Sequence, residues 1–139
     1  MNALKIMLIT ACIMLLLGCQ GDWVDVSRLD DRDRALFRVA AARENVNVTT
    51  RGEAWDWTVE YFRDPARDGH AVRSYKLGVQ VDCAMYVDRA NMDTCGTGGT
   101  DHHFVVVARH ELNHCKGYRG HSSDPTSLMY KISPCYPID

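Results

Sequence analysis

A chain of 139 residues with a formal charge of −2 and 24% charged residues is sized for one domain. Its arginines are scattered rather than striped, which gives no electrostatic footprint for nucleic acid. No internal repeat or low-complexity tract is present.

Met1 to Leu17 carries one charge, Lys5, and an apolar run from Ile6 to Leu17 broken only by Thr10. That run is short for a membrane span and suits a signal peptide. It ends in Leu16-Leu17-Gly18-Cys19, which resembles the cleavage box of bacterial lipoproteins. The resemblance implies that residues 1–18 leave and that Cys19 becomes a lipid-bearing (palmitate) first residue. Gln20 follows, where an aspartate would favour retention at the inner membrane, so the expected place is the outer membrane, facing the periplasm. The competing readings are an ordinary secretory signal and an uncleaved anchor. Loss of Lys5 would leave about 120 residues with a charge of roughly −3, enough for one modest core.

Residues 19–30 read as the lipidated cysteine and a polar tether, and 31–139 as the domain. Arg34 to Asn45 places Leu36, Phe37, Val39, Ala40 and Ala41 on an amphipathic helix. Trp55, Trp57, Val59 and Tyr61 alternate with polar residues, the period of a half-buried strand. Asp64 to Gly69 is a turn, and His70 after it is expected in solvent. Tyr75, Leu77, Val79 and Val81 alternate again as a strand, with another expected at Ala84 to Val87. Asn91 to Thr100 is a loop rich in Gly, Thr and Asn.

A helix is expected from about His102, capped by Thr100 or Asp101 and ended by Gly117. At about 100° per residue, Phe104, Val105, Ala108, Leu112 and Cys115 form its core face. Arg109 and Asn113 form a polar face, and His103, Val107, His110, Glu111 and His114 a third. His110-Glu111-Leu112-Asn113-His114 is an HExxH segment, whose two histidines four apart can reach one metal ion. Glu111, beside them, is placed to take a proton from a water at that metal. His103 lies two turns from His110, about 10 Å along the helix, too far to share the metal.

A catalytic zinc wants three protein ligands and an open position. No glutamate follows His114, which leaves His121 and Asp124 as the close downstream candidates for the third ligand. The run from His110 to His121 resembles the long metzincin motif HExxHxxGxxH, with one extra residue between Gly117 and His121. Gly120 stands where that family has its third histidine. His121 to Tyr130 resembles the continuation of that motif, with Ser122-Ser123-Asp124-Pro125 and the Met129-Tyr130 turn. The resemblance, about 30 residues long, implies a small α+β metzincin-like domain: a twisted sheet packed on the HExxH helix, then an irregular C-terminal segment. It implies Zn²⁺ as cofactor and Met129 in a turn flooring the metal. Tyr130 would have a structural role or touch substrate.

Of six cysteines, Cys12 lies in the signal and Cys19 would carry lipid. Cys83, Cys95, Cys115 and Cys135 are even in number and suit two disulfides in an oxidising compartment. Three pairings are open; Cys83–Cys95 and Cys115–Cys135 are favoured because each closes a local loop. A second, cysteine-ligated zinc site is the competing reading, without a CxxC pair to support it.

The expected function is that of a monomeric zinc metallopeptidase of the cell envelope, acting on peptide or protein substrate and attached to the membrane through Cys19. Glu111 would serve as base and then acid. An edge strand would pair with extended peptide, and Val79 to Val87 is the candidate. The alternatives are a non-enzymatic lipoprotein with a structural zinc and a zinc amidase acting on cell-wall peptides.

Overall fold

The computed structural model describes residues 22–53, 56–63, 69–89 and 103–130. They form a small α+β domain: a five-stranded mixed sheet and two helices. In chain order these are β1 (Trp23–Asp25), α1 (Asp31–Arg43), β2 (Asn47–Thr49), β3 (Trp57–Tyr61), β4 (Gly69–Lys76), β5 (Val79–Val87) and α2 (His103–Cys115). None of the helices among the described residues is long and apolar enough to cross a membrane.

The strand order is β2-β1-β3-β5-β4. The first four lie parallel, and β4 returns antiparallel along β5 as the outer strand. On β5, Cys83, Met85 and Val87 are fully buried while the residues between them are half-exposed, so alternation assigns one face to the core. Both helices pack on each other, and α2 also packs on β4 and β5. The core joins Val24, Val59 and Met85 of the sheet to Phe37, Ala40 and Ala41 of α1 and to Phe104, Val105, Ala108 and Leu112 of α2. All five residues of the expected core face of α2 are buried.

The fold begins before the expected boundary at residue 31. β1 lies between β2 and β3, and Val24, Val26 and Leu29 are buried. The supposed tether over 23–30 therefore belongs to the domain. Helix α1 also starts earlier than Arg34, because the Asp30 side chain accepts a hydrogen bond from the Asp33 amide at 2.9 Å and caps it.

Both helices end in the same way. Val46 N donates to Ala41 O and Asn45 N to Ala42 O, with Asn45 in the left-handed region at φ 54°. Tyr118 N donates to Asn113 O and Gly117 N to His114 O, with Gly117 at φ 107°. Each is a Schellman cap, which satisfies carbonyls that the last turn would leave orphaned. The polar face of α2 is also engaged. Glu44, buried at the end of α1, accepts from Arg109 Nε at 2.8 Å and from Asn113 Nδ2 at 2.9 Å, while Lys116 Nζ donates to the Glu44 carbonyl.

Two expectations are corrected here. The alternation from Tyr75 to Val81 is not one strand. Lys76 pairs with Val79 across a two-residue turn at Leu77-Gly78, so the run is the tip of a hairpin. The favoured disulfides are not formed as expected either: Cys83 is bonded to Cys115, with a Cα–Cα distance of 5.6 Å. Packing of α2 across β5 brings these two together, and a preference for local loops cannot see that. Cys95 and Cys135 lie outside the described residues.

The bond closes a chain separation of 32 residues between sheet and ligand helix. Replacing Cys83 and Cys115 together by alanine should lower stability by about 3–4 kcal/mol, from loop closure in the unfolded chain. Chemical denaturation of the oxidised variant beside the parent measures it, and a peptide map without reductant should recover the 83–115 link.

Candidate metal centre

His110 and His114 stand one turn apart on α2, and the loop after Gly117 returns to bring His121 against both. The ring of His110 lies 5.2 Å from that of His121, and the ring of His114 lies 5.1 Å from it. One nitrogen from each histidine falls within 4.8 Å of the others, so the three can hold a metal ion. The site is graded in exposure: His110 buried, His114 half-buried, His121 exposed. One side is thus open to a fourth ligand.

The backbone decides which nitrogens face inward. His110 Nδ1 lies 2.8 Å from the carbonyl oxygen of Leu128, and His114 Nδ1 lies 3.0 Å from that of Tyr118. A carbonyl can only accept, so each Nδ1 carries the proton. In the neutral rings both Nε2 atoms are then lone pairs, and they face one another at 3.0 Å. Two lone pairs at that distance repel unless a shared proton or a metal ion lies between them. Tetrahedral coordination with bonds of about 2.0–2.1 Å would set ligand nitrogens roughly 3.3 Å apart. His110 and His114 are close to that spacing already, and a nitrogen of His121 lies within 4.8 Å of theirs. Burial also pushes His110 down to about 4, which keeps the ring neutral and its lone pair available.

The turn expected at Met129 holds the site together. Ser122 N donates to Met129 O at 2.7 Å, and Tyr130 N donates to Ser127 O at 3.0 Å. Ser122 and Tyr130 form an isolated parallel bridge. One turn thus supplies the Leu128 carbonyl to His110 and fixes the residue next to His121. Met129 itself is buried. Tyr130 is half-buried, and its backbone closes this bridge.

Asp124 does not join the cluster. It is exposed, and its Oδ1 accepts from Thr126 N at 2.9 Å and from Thr126 Oγ1 at 2.8 Å. Those bonds hold its carboxyl below the usual aspartate range and commit it to a turn. His121, rather than Asp124, is the third histidine-side partner that the fold delivers.

Glu111 is buried between α2 and the start of β4. A Cβ on Gly69 would stand 2.9 Å from Glu111 Oε1 and 2.9 Å from Val107 Cγ1, so β4 approaches α2 here because residue 69 has no side chain. Glu111 Oε2 is buried with no hydrogen-bond partner among the described residues. Burial pushes its carboxyl up to about 8. A buried carboxyl oxygen without a partner, one residue from His110, fits a site completed by further groups such as a water.

The other histidines fall elsewhere. His103 is buried on α2 and outside the cluster, and His102 lies outside the described residues. His70 is not in open solvent: its ring stacks on Tyr86 at 4.8 Å and meets the edge of Phe62 at 4.7 Å. Sequence reasoning missed the carbonyls of Tyr118 and Leu128, which no side-chain pattern announces. It also missed Gly69, whose only signal was a glycine closing a turn.

Comparison with protein-family models, curated proteins and solved structures finds no match to this chain.

His121→Ala should weaken zinc binding by more than about 100-fold, beyond the loss typical of an outer hydrogen-bond partner alone. Asp124→Asn should leave it unchanged. Competition with a chromophoric chelator measures both, and equal weakening by the two changes would mean that Asp124 is a ligand.

Proposed function

We propose that the chain is a zinc-dependent metallopeptidase of the bacterial cell envelope, metzincin-like in its site and lipid-anchored at Cys19. The observation that carries this reading is a cluster of three imidazoles able to hold a metal ion, with Glu111, next to His110 on α2, keeping a buried Oε2 that has no hydrogen-bond partner among the described residues. A donor set of neutral nitrogens suits zinc, whereas magnesium and calcium take oxygens. Bound there, zinc would supply Lewis acidity to a water and to the substrate carbonyl.

The chain's own groups account for the rest. Glu111 accepts the proton of the attacking water and hands it to the leaving amine. Its buried place beside His110 on the ligand helix suits a group that takes and returns one proton within the site. His110 and His114, held by the carbonyls of Leu128 and Tyr118, keep their Nε2 atoms aimed at the ion without reorganisation.

Extended peptide has an edge to pair with, though not the one expected. β5 is flanked by β3 and β4, so Val79 to Val87 is not the edge strand. β4 is the outer strand, it packs on α2, and its first residue, Gly69, touches Glu111. A peptide laid along β4 would pass the base at that point.

A purely structural zinc would call for a fourth protein ligand. Among the described residues the cluster has three, and its third member is exposed.

In the full chain, Glu111→Gln should retain one zinc and lose about 10²- to 10⁴-fold in turnover of an unfolded protein substrate. Turnover that survives the change would mean a different base. Cleavage confined to purified peptidoglycan, assayed in parallel, would move the activity to a cell-wall amidase.

A further inference from the structure

The β4–β5 hairpin carries an apolar surface that the site does not use. Of eight large apolar side chains exposed among the described residues, five stand on it: Val72, Tyr75, Leu77, Val79 and Val81. Leu77 is 98% exposed at the tip. It is also in the left-handed region, at φ 52°, followed by Gly78 at φ 78°. Two residues of positive φ make the tight turn that joins hairpin strands, and Asn, Asp or Gly are the usual occupants. Leucine is disfavoured there on backbone grounds and gains no burial among the described residues, so its apolar side chain is available to a surface beyond them.

Charge narrows what that is. From Gly69 to Val87 the hairpin has two cations, Arg73 and the exposed Lys76, against one half-buried carboxylate, Asp82, which accepts from the Cys83 amide, although the chain as a whole is acidic. An apolar tip flanked by cations complements an anionic bilayer surface.

Topology then allows the tip and Cys19 to reach one surface. β1, β3 and β5 are parallel, so all three begin at one end of the sheet. Asp25 pairs with Thr58, and Thr58 with Ala84, which fixes a common level. Gly78 precedes Ala84 by six residues, and Cys19 precedes Asp25 by six. At about 3.3 Å per residue, the tip projects roughly 20 Å beyond that level. Six residues of chain can carry Cys19 no further than about 20 Å from it.

We propose that the hairpin tip is a second membrane contact, with Leu77 and Val79 entering the headgroup region of an anionic bilayer and Lys76 meeting its phosphates. The inference rests on acylation of Cys19 as read above. An acyl anchor alone leaves the domain free to swing, and the hairpin fixes its orientation. The far end of β4, where Gly69 meets Glu111, is then held about 25 Å above the surface, the length of the strand.

The test places a reporter at the tip. Leu77→Trp in the full, acylated chain is compared with the parent in vesicles of phosphatidylethanolamine and phosphatidylglycerol, with and without acyl-brominated lipid. Because Leu77 is exposed, the change should leave zinc content as in the parent. The added tryptophan should shift its emission to the blue on vesicles and lose at least half of its intensity to brominated lipid. Emission that stays solvent-like in a chain whose intact mass shows the acyl group overturns the proposal and leaves the anchor standing. A mature chain without acyl mass overturns both, since nothing then brings the tip to the bilayer. A blue shift without lipid that grows with protein concentration assigns the tip to a second copy of the chain and also overturns the proposal.

Discussion

The site depends on two backbone carbonyls. Tyr118 O and Leu128 O each accept a hydrogen bond from a histidine Nδ1–H, and by doing so fix the tautomer and the ring direction together. Without them, His110 and His114 could turn the other nitrogen inward and no paired donor set would exist. Each carbonyl is placed by a different piece of local structure. Gly117 supplies the left-handed step of the Schellman cap, which swings Tyr118 back over the last turn of α2. The Ser127–Tyr130 turn presents Leu128, and the Ser122-to-Met129 bond ties that turn to the loop of His121.

Helix α2 can bear this because it is fixed on every side. Its apolar face is buried against the sheet, and Cys115 is bonded to Cys83 on β5. Gln80 Nε2 adds a bond to the Cys115 carbonyl at 2.7 Å. On the polar side, Glu44 gathers Arg109 and Asn113. Partly buried ion pairs of this kind contribute little net stability, since desolvation opposes the attraction. What they do is penalise rotation: turning α2 would leave Glu44 buried and alone. The third face is therefore held toward β4, and the buried carboxylate of Glu111 persists because the packing around it is over-determined.

The features legible in the sequence are those written in local spacing. Phe104, Val105, Ala108, Leu112 and Cys115 repeat at helical period, so the core face of α2 could be read directly. Gly117 was legible for the same reason, as a helix stop, and His121 as a candidate ligand one residue beyond the offset of the motif the sequence resembles. The misreadings share a different cause. β1 and β2 are three residues each, too short for alternation to show. The hairpin tip at Leu77-Gly78 has a leucine where turn chemistry would announce itself, so the alternation on either side ran together into one apparent strand. The link of Cys83 to Cys115 follows from packing a helix across a sheet, which no local pattern contains.

The residue by which the spacing from Gly117 to His121 exceeds that of the motif the sequence resembles bears on how far spacing constrains a candidate ligand set. A histidine on a helix cannot move by one residue without turning about 100° off the metal. A histidine on a loop can, if the loop has freedom to spend and a fixed point at its end. Gly117 at φ 107° and Gly120 at φ 74° give that freedom, since a side chain is disfavoured at either angle. The fixed point is Ser122, whose amide is held by Met129. The loop is thus pinned at the helix cap behind His114 and at the turn beneath His110, and one added residue changes only the path between. Strict spacing matters for the helical pair His110 and His114, whereas for His121 the anchoring of its neighbour matters more than its offset.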